Sequence, residues 1–193
     1  MAFLLDPVPT MHDQRLSKRT AASFLPNIAI DPTCGRYALK ALLKWHYFRA
    51  TGITAEGVTL PSPGNPLKSL IGYDPETDFE HFGRLLKAPD YLPGDAEGYV
   101  ERMRSNGPII ASGKGVGHAG SFVGHFILLV GGDAQAATPV LSYKDPLRGD
   151  ALHEEGFATL GPKIGWICYA RKTIGQSFAL LGQAQGIANM AFT

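Results

Sequence analysis

The rhythm of hydrophobic and polar residues changes near Pro108. Before it, apolar positions recur at three- and four-residue spacing, the period of an amphipathic helix. In DPTCGRYALKALLKWH, residues 31–46, Ala38, Leu42 and Trp45 fall on one stripe, flanked by Leu39 and Ala41. Arg36, Lys40 and Lys44 recur every four residues on the opposite side. This predicts a helix with one buried face. Asp31 can cap it, Pro32 suits the first turn, where a missing N–H is harmless, and Gly52 marks its end. Within residues 77–106, DFEHFGRLLK and DAEGYVERMRS predict two further helical pieces, interrupted by Pro89 and Pro93. Gln14 to Leu25 suits a short helix, LDPVPT an extended arm, and the Gly- and Pro-rich residues 53–76 a loop.

After Pro108 the apolar runs become short and turn-bounded. PIIAS, GHFILLVGG, PVLSYKDP and KIGWICYA read as strands. Helices first and strands afterwards, joined by hairpin-length links, predict an α+β fold with an antiparallel sheet rather than βαβ repeats. The expected organisation is one domain over residues 1–193. It comprises an N-terminal arm (1–24), a helical half (25–106), a sheet half (107–172) and an uncharged C-terminal segment (173–193).

Composition narrows the function classes. A chain of 193 residues, 45% of them hydrophobic, can bury ~70% of its unfolded surface without a disulfide or metal staple. A formal net charge of +1 and a pI near 7.8 lack the basic footprint of a nucleic-acid-binding domain. No apolar run approaches the ~18–20 residues that span a bilayer. The opening MAFLLDPVPTMHD lacks the basic flank and apolar core of a Sec signal peptide. Two cysteines, Cys34 and Cys168, make no disulfide framework, and free thiols in a reducing compartment are the simpler reading.

Three residues then stand out. Cys34 falls in the first turn of the predicted helix, where free N–H groups and the helix dipole favour a thiolate. The bland alternative is a small buried hydrophobe, as most free cysteines are. His125 opens the apolar run GHFILLVGG, which puts an imidazole at the rim of a sheet. Histidines 12, 46, 81, 118 and 153 fall in less constrained contexts, with His118, in a Gly-rich loop, the main competitor. Asp145 ends VLSYKDP, where a turn aspartate before proline is also common. It lies 20 residues after His125, about one strand, a turn and a second strand, so antiparallel pairing can bring the two together. A thiol activated by an imidazole that a carboxylate orients is a nucleophilic unit.

This ordered set resembles the papain-like cysteine peptidases, in which a Cys opens the central helix and His and Asn/Asp come from the sheet half. NGPIIASG, GHFILLVGGD and VLSYKDP are particularly similar to bacterial effector and toxin peptidases of avirulence-protein type, and to the leader-peptide peptidases of bacteriocin exporters. The resemblance covers roughly residues 25–170. It implies a papain-like fold with catalytic Cys34, His125 and Asp145 and no cofactor. It also implies a bacterial effector or antibacterial toxin, secreted without a Sec signal, that cleaves a protein inside a target cell. A cognate immunity protein in the producer would then be the expected partner. The family usually places a Gln six residues before the Cys as an oxyanion donor; here that position is Ile28, and Asn27 or, more distantly, Gln14 is the candidate amide. Cell-wall amidase or glutamine deamidase chemistry, or an inactive binding module, are the rival readings.

Two other motifs carry little. GVGHAG, residues 115–120, spells G-x-G-x-x-G, but strand-like residues follow it at once, whereas a dinucleotide site needs a helix there. Cys34 with one His lacks the second Cys/His pair that a zinc site requires.

Overall fold

A computed structural model describes residues 2–13, 34–54, 86–118 and 124–171. The predicted cap at Asp31, the helix over 14–25, the loop from residue 55 onward and the segment 173–193 lie outside them. In chain order the elements are β1 (Phe3–Leu4), α1 (Cys34–Thr51), β2 (Leu86–Lys87), α2 (Ala96–Asn106), β3 (Ile109–Lys114) and β4 (Gly124–Asp133). They continue with β5 (Val140–Lys144), β6 (Leu152–Gly156), the short α3 (Phe157–Leu160) with a 3-10 turn (Gly161–Lys163), and β7 (Trp166–Ala170). The fold is α+β. Every described strand pairing is antiparallel, in the order β2-β7-β3-β4-β5-β6, with β1 on β4. No described helix is long and apolar enough to cross a membrane.

The strand period of two sorts the core into two layers. On one face Ile110, Phe126, Leu128, Val130, Cys168 and Ala170 pack against Ala38, Leu39, Leu42 and Leu43 of α1. On the other, Ile109, Ile127, Leu129, Leu141, Ile167 and Tyr169 pack against Tyr99, Val100 and Met103 of α2. Strand β4 is therefore covered on both sides, which is why its sequence reads as an unbroken apolar run rather than an alternation. The buried arc of α1 is wider than its predicted stripe and includes Leu43, His46 and Tyr47, while Trp45 is only half-buried at its edge. Its end is as expected: Gly52, with φ +72°, donates its N–H to Phe48 O. Helix α2 begins where its sequence signals, with Asp95 accepting from the N–H of Gly98.

Three strands escape the sequence pattern. DFEHFGRLLK was expected to be helical, but its last two residues, Leu86 and Lys87, pair as β2 with Ala170 and Tyr169. The backbone edge of β7 offers ladder partners that outweigh local propensity. The polar LHEEG forms edge strand β6, with no buried face to impose alternation. The N-terminal arm contributes β1, which pairs with Gly131 and Gly132 of β4 beyond the point where β3 pairing ends at Leu129. A Cβ on Gly131 would lie 2.3 Å from Phe3 O, so only glycine admits the arm so closely.

The arm also ties the helix to the sheet. Trp45 Nε1 donates to Pro7 O at 2.6 Å and Arg49 to Asp6 O at 3.1 Å, while the N–H of Leu5 reaches Val130 O at 3.0 Å. Further on, the N–H of Met11 donates to Oδ1 of Asp150 at 2.9 Å, and that oxygen also receives Nζ of the buried Lys144 at 2.8 Å. One carboxylate thus joins the arm, strand β5 and the turn that follows it. Replacing it should loosen all three. Asp150→Ala is expected to cost about 1–3 kcal/mol, the worth of hydrogen bonds to a charged group, read as a lower denaturant midpoint with an unchanged slope.

Candidate active site

Residue Cys34 opens α1 as described, buried at 5% exposure on the helix face that packs against β4. Gly35 follows the cysteine, and sequence alone suggests a glycine there to leave room beside the sulfur. The structure gives that space to a ring: a Cβ there would meet Phe126 at 3.2 Å. Glycine at this position lets α1 settle onto β4 next to His125. The Phe126 ring meets Trp166 of β7 edge-on at 6.2 Å, closing an aromatic floor on the helix side of the sheet.

The register of β4 and β5 brings His125 and Asp145 together. Leu128 pairs with Lys144, so the chain leaving β5 runs back beside Ile127 and His125. Nε2 of His125 donates to Oδ1 of Asp145 at 2.7 Å, with the histidine 1% and the aspartate 0% exposed. The other side-chain hydrogen bond of His125 is to Cys34. With Nε2 committed to the carboxylate, Nδ1 is the nitrogen that faces sulfur.

Asp145 is held from every side. Oδ1 also accepts the N–H of Leu147 at 2.8 Å. Oδ2 accepts the N–H of His118 at 2.7 Å and ring Nδ1 of His118 at 3.0 Å. Four donors match the four acceptor sites of a carboxylate. The sequence weighs His118 and His125 as alternatives, whereas the structure puts both on one carboxylate, from opposite oxygens. The turn that carries His118 depends on Gly117, whose φ is +58° and whose Cβ would sit 2.6 Å from Oδ2. Two glycines of GVGHAG therefore shape an aspartate cradle, with Gly115 also at positive φ. Strands β3 and β4 on either side pair antiparallel, which leaves no βαβ unit for a dinucleotide.

The electrostatics follow from these contacts. Burial is the strongest influence on His125 and lowers its pKa. The hydrogen bonds to Asp145 and Cys34, with the negative charge of each, outweigh it and raise the value from 6.5 to about 9. Burial likewise works against ionised Asp145, but His125 and the N–H groups of Leu147 and His118 hold the carboxyl well below the usual range. The unit is an imidazole–carboxylate pair with the sulfur of Cys34 against the free edge of the ring. Cys168 differs: burial in β7 pushes its thiol up to about 12.

The remaining predicted candidates fall elsewhere. Asn27, Ile28 and Gln14 lie outside the described residues, as does His81. His46 is buried where α1 meets the end of α2, and burial drives it down to about 4 although its ring donates to the carbonyl of Asn106. His12 lines a cavity of about 620 Å³ between the arm and α1, with Val8, Lys40, Lys44 and Trp45; none of Cys34, His125 and Asp145 is among its described lining residues. His153 meets the His118 ring at 4.5 Å. Among the described residues no group of three or more His, Cys, Asp or Glu side chains is placed to hold a metal ion. Sequence reading missed Gly117 and Phe126, and it weighed His118 only as an alternative to His125. Of these, only the adjacent Gly–His of GVGH carried a signal, a tight turn presenting an imidazole.

No protein-family model and no curated protein matches the chain. Among solved structures, it is similar to a chain from work on the limited antibody cross reactivity between the mite allergens Blo t 1 and Der p 1. The TM-score is 0.32 and the identity 16%, over 45% of this chain and 34% of the allergen chain. At that TM-score the likeness is slight, and the case for the site rests on its own geometry.

Two outcomes follow from this geometry. Gly117→Ala should drive a methyl into Asp145 and strain the turn, costing about 1–3 kcal/mol and lowering the His125 pKa in an NMR titration. The pH dependence of stability has a worked sign. The raised His125 contributes stability that is complete below 6.5 and lost as pH rises through about 9. The depressed His46 removes stability as pH falls from 6.5 toward about 4, because only the unfolded chain takes up that proton. Lowered Asp145 adds an acid loss below the ordinary carboxylate range. Denaturant unfolding should therefore show a maximum near pH 6.5, with the alkaline slope flattened in His125→Gln.

Proposed function

We propose that the protein is a papain-like cysteine peptidase in which Cys34 is the nucleophile, His125 the general base and acid, and Asp145 the residue that orients the imidazole. The observation that carries this reading is a single buried chain of contacts. Cys34 meets one edge of His125, and the other edge donates at 2.7 Å to a fully buried carboxylate. In the mechanism, the sulfur attacks an amide carbonyl as thiolate while His125 holds the proton at Nδ1. The imidazolium then gives that proton to the leaving amine as the C–N bond breaks. Water, deprotonated by His125, releases the acyl group from sulfur. Asp145 stays ionised throughout and fixes the Nε2–H tautomer. The backbone N–H of Cys34 is one oxyanion donor, and we assign the second to Asn27.

The narrower reading is a secreted bacterial effector or antibacterial toxin that cleaves an intracellular protein and meets a cognate immunity protein in its producer. Its support is the similarity of NGPIIASG, GHFILLVGGD and VLSYKDP to effector and bacteriocin-exporter peptidases.

The test is N-terminal labelling of a target-cell lysate after treatment with wild type or Cys34→Ala. New N-termini are expected with wild type only. Ammonia or muropeptide release without new N-termini would place the same residues in a deamidase or cell-wall amidase. Cys168→Ala should keep its activity, and His125→Ala should be as damaged as Cys34→Ala, because members of one catalytic unit fail together. Asn27→Ala should slow turnover by ~100–1000-fold, the worth of one oxyanion donor. Near wild-type turnover in that variant would remove Asn27 from the mechanism.

A further inference from the structure

The proposed reaction uses one side of Asp145: Oδ1, His125 and Cys34. The other side is also built. Oδ2 receives two bonds from His118, one from its backbone N–H at 2.7 Å and one from its ring at 3.0 Å. The ring is itself braced, edge-on to His153 at 4.5 Å, and the His153 ring lies 5.5 Å from that of Tyr143 on β5. Gly117 presses against Oδ2 and leaves no room for a side chain. The backbone N–H of His118 already gives Oδ2 a partner, so the ring is not needed merely to satisfy that oxygen. The second bond, from the ring, does something further: two donors on Oδ2 restrict rotation about the Cβ–Cγ bond more than one does, so Oδ1 keeps its direction.

We infer that His118 is a positioning residue whose ring clamps Oδ2 of Asp145 so that Oδ1 stays aimed at Nε2 of His125. This rests on the reading of Cys34, His125 and Asp145 as one reacting unit. The bonds of His118 go to Asp145, so it is assigned to act through that carboxylate. The charged and titratable groups around it are Asp145, His153 of β6, and Arg148 and Lys144 beside His153, with Lys144 tied to Asp150. Without the ring, the carboxylate is freer to turn, and its hold on the imidazolium weakens. His125 should then lose its proton at lower pH.

The test needs no substrate. Iodoacetate is anionic, so it reports both the thiolate of Cys34 and the imidazolium beside it. Its rate on Cys34 is followed by peptide mass spectrometry over pH 5 to 10 in the full chain and in His118→Ala, His118→Asn and His125→Ala. Wild type should label Cys34 faster than His125→Ala, and the rate should fall as His125 deprotonates. In His118→Ala the rate at pH 6 is expected to drop about tenfold, the worth of one hydrogen bond to a charged group, and the alkaline fall should move to lower pH. Asparagine can place an amide N–H where Nδ1 stood, so His118→Asn should recover most of both. Unfolding midpoints taken in parallel separate positioning from folding. A profile in His118→Ala that matches wild type at every pH overturns the inference alone. So does an equal loss in His118→Ala and His118→Asn that tracks equally lowered midpoints, since the ring would then be structural. A wild type that labels Cys34 no faster than His125→Ala overturns the reading of the site, and the inference with it.

Discussion

A carboxylate with no solvent exposure is the constraint on which the rest of the structure turns. Moving an ionised group out of water costs several kcal/mol unless its charge is matched and its oxygens are fully bonded. Asp145 meets that demand with four donors from three parts of the chain: the β3–β4 turn, strand β4 and its own turn before β6. Each donor fixes something beyond itself. His125 must stand at the start of β4, Gly117 must take a positive φ, and the turn after Pro146 must bring the N–H of Leu147 inward. The sheet register delivers these groups only because Leu128 pairs with Lys144. Slipping that register by one residue would turn His125 away and bare a charge in the core.

The helix reaches the same point from the other face. Cys34 comes within reach of His125 because Gly35 lets the Phe126 ring lie against α1, and because Ala38 and Ala41 present a thin surface to the sheet. The N-terminal arm strengthens the joint. It hydrogen-bonds both to α1, through Trp45 and Arg49, and to β4, through Leu5. Its later residues reach Asp150, so the arm also steadies the turn that presents Asp145. Residues far from the thiol thereby set the distance between the two halves of the site.

Much of this was legible in the sequence, for identifiable reasons. Strands β3, β4, β5 and β7 are apolar runs bounded by turn residues, and α1 has a periodic face; both patterns are visible without coordinates. The pairing of His125 with Asp145 was legible because a hairpin of known length returns the chain to its start. What stayed hidden depends on partners rather than pattern. Strands β1 and β2 are two residues each and exist through the backbone edges of β4 and β7. Strand β6 has no buried face to advertise. His125 ranks above His118 because it opens an apolar strand, but nothing in their spacing shows that both approach one aspartate. Gly35 was read as space for sulfur because a sequence does not show which neighbour fills a gap.

Strand β6 has a further consequence, for how the protein behaves when crowded. Among the described residues it is the outermost strand beyond β5, and at the opposite end stands the two-residue β2. A row of unpaired backbone groups invites another chain to add itself. Here one margin is too short to template a ladder, and the other carries Glu154 and Glu155 side by side. Glu155 is paired with Lys163 at 2.8 Å, so Glu154 is the charge that would meet its like on an identical strand laid against it. The polarity that made LHEEG unreadable as a strand is thus a guard against self-association, and it protects a sheet whose interior strand, GHFILLVGG, would be an aggregation hazard if exposed.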